Sequence, residues 1–270
     1  MRRRPALVLL AAAAATSLLA ACGGSSSAGA GSSSTTSSAA PSTSAVLSGE
    51  ITVLAAASLT DAFGTLGKQF QDANPGTTIT FSFGASSALA TQIGQGAPAD
   101  VFASASQKNM DAVIEAGGAT ASAPFVKNVM EIAVPPANPG KVTQLSDLAK
   151  PEVKVALCQA EVPCGTVALK VFENAKLTVK PVTQEADVKA TLAKVTLGEV
   201  DAGVVYVTDV LAAGDKVKGI EIPADVNAST TYPIAALKGS KNAALAQAFV
   251  DYVLSAEGQK VLTSAGFLAP

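Results

Sequence analysis

From residue 49 onward the chain alternates short apolar runs with longer segments whose apolar residues recur every three or four positions. The short runs predict strands over residues 51–55, 78–83, 99–103, 125–134, 153–157, 201–207, 218–222 and 231–237. The longer spacing predicts helices over 58–74, 87–95, 106–116, 165–175, 185–197, 242–254 and 256–265. Shorter helical turns are expected over 145–148 and from 210 onward. In the 185–197 segment Val188, Leu192 and Val195 share one face, as an amphipathic helix requires. The opening β-α-β-α-β order predicts a parallel sheet with helices on both faces. The apolar strands 125–134 and 231–237 are the candidates for crossings between two such sheets. The expected architecture is therefore α/β in two lobes, with a hinge of two crossing strands and a cleft between the lobes. Lobe 1 takes residues 49–127 and 233–270, and lobe 2 takes 128–232.

In open α/β sheets ligands sit at the carboxyl ends of strands, beside helix starts. Five junctions of that kind occur: Ala56-Ala57-Ser58, Gly84-Ala85-Ser86-Ser87, Val162-Pro163-Cys164-Gly165, Asp187-Val188 and Val205-Tyr206. The first has a strand running straight into a helix, with Ser58 placed to cap it by accepting the N–H of Asp61. Such a junction fits an ordinary strand–helix turn. It also fits an anion site, because a helix start leaves N–H groups unpaired and carries partial positive charge. Asp61 and Asp100 are expected to brace turns, since a carboxylate repels an anion.

Composition changes the picture at the amino end. Arg2, Arg3 and Arg4 precede an apolar run over 6–19 that ends in Leu19-Ala-Ala-Cys22. Residues 1–21 read as a signal peptide, the run being short for a membrane span. The Leu-Ala-Ala-Cys ending resembles the bacterial lipobox, in which the cysteine is acylated; a plain secretory signal cut near Ala21 is the alternative. The Ser-, Gly- and Thr-rich stretch from 22 to 48 has no charge and too little apolar surface to fold. As a flexible tether it spans roughly 30 Å. The expected location is thus the extracytoplasmic face of the cell membrane, through a lipid on Cys22.

Of the 19 basic residues three are Arg2, Arg3 and Arg4; without them 16 face 21 acidic residues, a net charge of −5. That balance argues against a nucleic-acid partner. The chain beyond the signal has no Arg, no His and no Trp. Cys158 and Cys164 remain after Cys22, and two nearby cysteines in an exported domain read as a disulfide. Without a His partner they make a poor zinc site.

Five ordered stretches carry a resemblance. They are Ala55-Ala-Ala-Ser-Leu-Thr-Asp-Ala62, Phe83-Gly-Ala-Ser-Ser-Ala-Leu-Ala90, Gly96-Ala-Pro-Ala-Asp-Val-Phe102, Val162-Pro-Cys-Gly165 and Gly203-Val-Val-Tyr206. Together they resemble the molybdate-binding proteins of bacterial ABC transporters, over residues 49 to the end. The resemblance implies a periplasmic-binding-protein fold that closes on molybdate or tungstate. It implies that Ser58 and Ser86 donate from side chain and backbone, Cys164 and Val188 from the backbone, and Tyr206 from its hydroxyl. Cys164 stands where an alanine or serine is expected, a change that a backbone donor tolerates. The resemblance also implies a monomer that hands its anion to a membrane permease, with no cofactor and no protein–metal bond, the molybdenum being held as an oxyanion.

The absence of Arg rules out a bidentate guanidinium clamp; a lysine remains possible, but none lies within the five stretches, so neutral donors are expected to satisfy a dianion here. Sulfate is the nearest alternative ligand, and phosphate would want an acceptor for its proton. A ferric site wants clustered tyrosines, whereas Tyr206, Tyr232 and Tyr252 are scattered along the chain. A serine hydrolase lacks both a His base and a Gly-x-Ser-x-Gly elbow, so no enzyme is expected. A structural surface protein leaves the five junctions unexplained.

Overall fold

The computed structural model describes residues 47–270. The expected signal over 1–21, Cys22 and nearly all of the expected tether lie outside the described residues. Leu47, assigned above to the tether, already packs against the folded core.

The first three strands are β1 (Gly49–Ala56), β2 (Thr77–Gly84) and β3 (Val101–Ala103), with β1 central and parallel to both neighbours. Helices α1 (Thr60–Ala73), α2 (Ser86–Gly94) and α3 (Gln107–Glu115) alternate with them and follow them. Along β1 the period of two buries both faces. Ile51, Val53 and Ala55 enter a core built around Phe63, Phe125 and Phe249, while Leu54 turns to a smaller one with Phe102 and Met110. Phe63 meets Phe125 and Phe249 at centroid distances of 5.9 and 6.1 Å.

β4 (Ala123–Val134) is the first crossing. Its early residues pair antiparallel with β9 (Ser229–Ala236), which also pairs with β3. Its later residues pair with β7 (Ala202–Tyr206) and β8 (Lys218–Glu221). The second lobe is completed by β5 (Val155–Cys158) and β6 (Thr183–Glu185), parallel to one another, and by α4 (Pro163–Asn174), α5 (Val188–Thr196) and α6 (Val207–Ala213). One strand path, β2-β1-β3-β9-β4-β7-β5-β6, thus runs through both lobes. After β9, α7 (Ala243–Leu254) and α8 (Ala256–Ser264) return to the first core, as expected for the C-terminal helices.

Three expectations change. The amphipathic segment starts three residues late, because 183–185 pair with β5 and the helix begins only after Asp187, whose carboxylate accepts the N–H of Ala190 at 2.9 Å. Val188, Leu192 and Val195 are buried on its inner face as expected. At Tyr206 the strand passes into α6 without the anticipated gap. Ser58 is not a cap: the extended residue is Ala56, Ser58 sits inside a 3-10 turn, and α1 starts at Thr60. A residue already in helical conformation cannot bend its side chain back onto the following N–H groups.

Candidate oxyanion site between the lobes

All five junctions converge. Ser58, Ser86, Cys164, Val188 and Tyr206 line one cavity of about 20 Å3, together with small residues such as Ala57, Gly84 and Ala85. Organic ligands occupy pockets of about 300–1,000 Å3, so this space suits a compact inorganic ion. Ala57 and Ala85 come from the first lobe yet pack into the core of the second, so the lobes are closed on each other here.

The wall is made mostly of helix starts. Pro163 opens α4 and supplies no N–H, which leaves Cys164 as the first donor of that helix without an intrahelical partner. Gly165 lets the 158–159 turn lie against this start, since a Cβ there would fall 1.8 Å from the Gln159 carbonyl oxygen. The disulfide between Cys158 and Cys164 joins the end of β5 to the same turn. Val188 is the first residue of α5, and Ser86 the first of α2. Each contributes a backbone N–H that its own helix does not use.

The hydroxyls are held in place. Ser86 Oγ accepts the N–H of Ala105 at 2.9 Å, which leaves its own proton to donate. Ser58 Oγ lies 2.8 Å from the Tyr232 hydroxyl. Tyr206 is 1 % exposed; its hydroxyl lies near that of Tyr232 but makes no hydrogen bond of good geometry to it or to any other of the described residues. Burial raises the Tyr206 hydroxyl well above the ordinary phenol range, with Tyr232 and Asp209 adding to the effect, so it stays an O–H donor. Tyr232 is raised too, chiefly by burial. The two rings sit 6.1 Å apart, centroid to centroid. The tyrosines that look scattered in sequence are therefore neighbours, except Tyr252, which bonds Gln69 at the surface.

No Lys lines the cavity. Its one carboxylate, Asp187, is engaged by the N–H of Ala190. Just outside lies Lys189, whose Nζ is 2.7 Å from Asp61 Oδ2 and 3.4 Å from Asp209 Oδ1. Asp209 is fully buried and its other oxygen accepts the N–H of Tyr206 at 3.2 Å. Asp100 braces its turn by accepting the N–H of Thr52 at 2.7 Å. Asp61 does not brace its own turn; it reaches across to Lys189. A larger groove of about 600 Å3 between α1, α6 and α8 shares Ser58 but none of the other four residues. Nor do the described residues hold a group of three His, Cys, Asp or Glu suited to a metal ion.

Residues 51–268 match the sequence profile of the family described as bacterial extracellular solute-binding protein. The chain belongs to that family. These are transport proteins, not a class of enzymes. Among the relatives of this solute-binding protein is the molybdate-binding protein ModA of Mycobacterium tuberculosis, 42% identical over 222 residues, or 82% of this chain and 85% of that one. ModA of Haemophilus influenzae is 34% identical over 240 residues, covering 84% and 92%. Among solved structures, the substrate-binding domain of a putative molybdenum ABC transporter from Clostridium difficile is 33% identical with a TM-score of 0.62, covering 82% of this chain and 99% of that one. The sulfate-binding protein SubI of M. tuberculosis shares the fold at 18% identity and a TM-score of 0.70, covering 81% and 86%. The two-lobed architecture expected from the strand pattern is that of these neighbours. No helix among the described residues is long and apolar enough to cross a membrane.

Three residues of this region escaped the sequence reading: Tyr232, Lys189 and Asp209. Tyr232 lies in a strand with no local sign of its contact to Ser58, 174 positions away. Lys189 follows Val188 directly, and only the tertiary fold shows what its charge meets.

Proposed function

We propose that this chain captures molybdate, or tungstate of the same shape and charge, and presents it to an ABC importer in the membrane. Ser58, Ser86 and Tyr206 donate through hydroxyls; Cys164, Val188 and the two serines donate through backbone N–H groups. The reading rests chiefly on the buried Tyr206 hydroxyl, which has no partner among the described residues and lines a cavity made of helix starts and free of cations. A buried donor left unpaired is costly, and an oxyanion supplies the acceptor it lacks. Neutral donors from several helix starts satisfy a dianion without a counter-charge. Relatives that carry the molybdate-binding name add support from outside the chain.

The finer parts of the reading rest on the sequence, its amino-end pattern and its family resemblance. The protein binds without catalysis and works as a monomer. A lipid on Cys22, after removal of 1–21, tethers it to the outer face of the membrane. Residues 49–127 with 233–270 and residues 128–232 are the two closing lobes.

Sulfate is the second reading, because the same neutral donors would hold it and a sulfate-binding protein has the same fold. Titration calorimetry with molybdate, tungstate, sulfate and phosphate separates them. Molybdate should bind with a Kd of about 1 μM or tighter, and sulfate at least about 100-fold more weakly, a gap of about 2.7 kcal/mol. Equal or tighter sulfate binding would move the assignment to sulfate. Silence toward every oxyanion would remove it.

A further inference from the structure

Lys189 lies next in sequence to Val188, and Asp61 lies three residues after Ser58. The two partners therefore extend from opposite walls of the cavity. Lys189 belongs to α5 of the second lobe and Asp61 to α1 of the first, yet Nζ and Oδ2 are 2.7 Å apart. On its other side the ammonium faces Asp209 Oδ1 at 3.4 Å, an ion-pair distance to an oxygen with no hydrogen bond of its own. Asp209 in turn holds the backbone N–H of Tyr206. The Lys189 side chain is 29 % exposed, so water screens this pair less than an ordinary surface pair. Asp209, with 0 % exposure, needs a cation beside it whenever it is ionised.

We propose that Lys189 is a positioning residue that fastens the two lobes over the bound anion, joining Asp61 of one lobe to Asp209 of the other and slowing the anion's escape. The proposal deepens the oxyanion reading and rests on it. The contact to Asp209 lies within one lobe, so opening the lobes need not break it. The contact to Asp61 forms only on closure. Loss of Asp61 should therefore act on release and leave capture alone. Simple charge repulsion predicts the opposite sign: removing a carboxylate beside the cleft would strengthen the hold on a dianion.

The test is the release of radiolabelled molybdate from the full chain into excess unlabelled anion, for the wild type, Asp61→Asn, Lys189→Met and the double variant. Asp61 is 62 % exposed, so its replacement does not threaten folding. Asp61→Asn should speed release about three- to tenfold, above the effect of a fully exposed pair. Its association rate and the melting temperature of the anion-free protein should stay at wild-type values, as a merely structural bond would not allow. Adding Asp61→Asn to Lys189→Met should change release no further. Release from Asp61→Asn at or below the wild-type rate overturns the latch, and that variant decides the matter even if Lys189→Met fails to fold. A wild type that binds no molybdate overturns the molybdate reading on which the latch rests, and calorimetry with the other oxyanions then decides what the cavity holds.

Discussion

Tyr206 carries opposite consequences for stability and for binding. In the closed cavity its hydroxyl is buried with no partner among the described residues, and that desolvation makes closure without an anion costly. Tyr206→Phe removes the cost and keeps the ring. The anion-free variant should be as stable as the wild type or more so, by up to about 1 kcal/mol, in urea unfolding. Its affinity for molybdate should fall by about 1–3 kcal/mol, since a charged acceptor loses a donor. A variant that loses stability and keeps affinity would place the hydroxyl elsewhere in the design. At this scale the sequence was legible where a residue sits at a strand end among small neighbours. Ser58, Ser86 and Cys164 do; Val188 and Tyr206, flanked by larger residues, stand at element ends, and all five positions line one cavity. Tyr232 does not, because its part depends on a contact that no local pattern encodes.

Element boundaries were legible to within a few residues, and the misses have physical causes. Ser58 has the chemistry of a cap but the backbone of a 3-10 turn, so its oxygen goes to Tyr232 instead. Residues 183–185 read as the start of a helix until β5 is there to pair with them. The start of α4 is better determined. Pro163 fixes its first residue, and Gly165 leaves room for the carbonyl of Gln159. Gly165→Ala forces a methyl against a backbone oxygen that cannot swing away. It should destabilise by about 1–3 kcal/mol and, by moving the Cys164 N–H, weaken molybdate binding as well. Thermal unfolding and calorimetry on one preparation check both. A variant matching the wild type in each would show that the turn yields freely.

For the whole molecule, the alternation of strands and helices was enough to foresee two lobes and two crossing strands. Charge placement was not, since Lys189, Asp61 and Asp209 lie on three different helices. Asp209 has a measurable signature. Burial raises its carboxyl from 3.8 to about 6, against the lowering pull of Lys189. A raised carboxyl binds its proton more tightly in the folded state, so it favours folding less as pH rises through that window. Relative to Asp209→Asn, the wild type should lose stability between about pH 4 and 6, then stay lower by about 3 kcal/mol. Chemical unfolding at four pH values measures the difference. A gap that does not change with pH would mean the carboxyl titrates normally.

The central claim is that a tetrahedral oxyanion is held by neutral donors at the meeting of five chain junctions. Anomalous scattering at the molybdenum edge, from crystals grown with molybdate, tests it most directly. The account predicts one strong anomalous peak within hydrogen-bonding reach of Ser58, Ser86, Cys164, Val188 and Tyr206, with no lysine ammonium in contact. A peak in the groove beside α8, or none in a crystal of the closed protein, would contradict it.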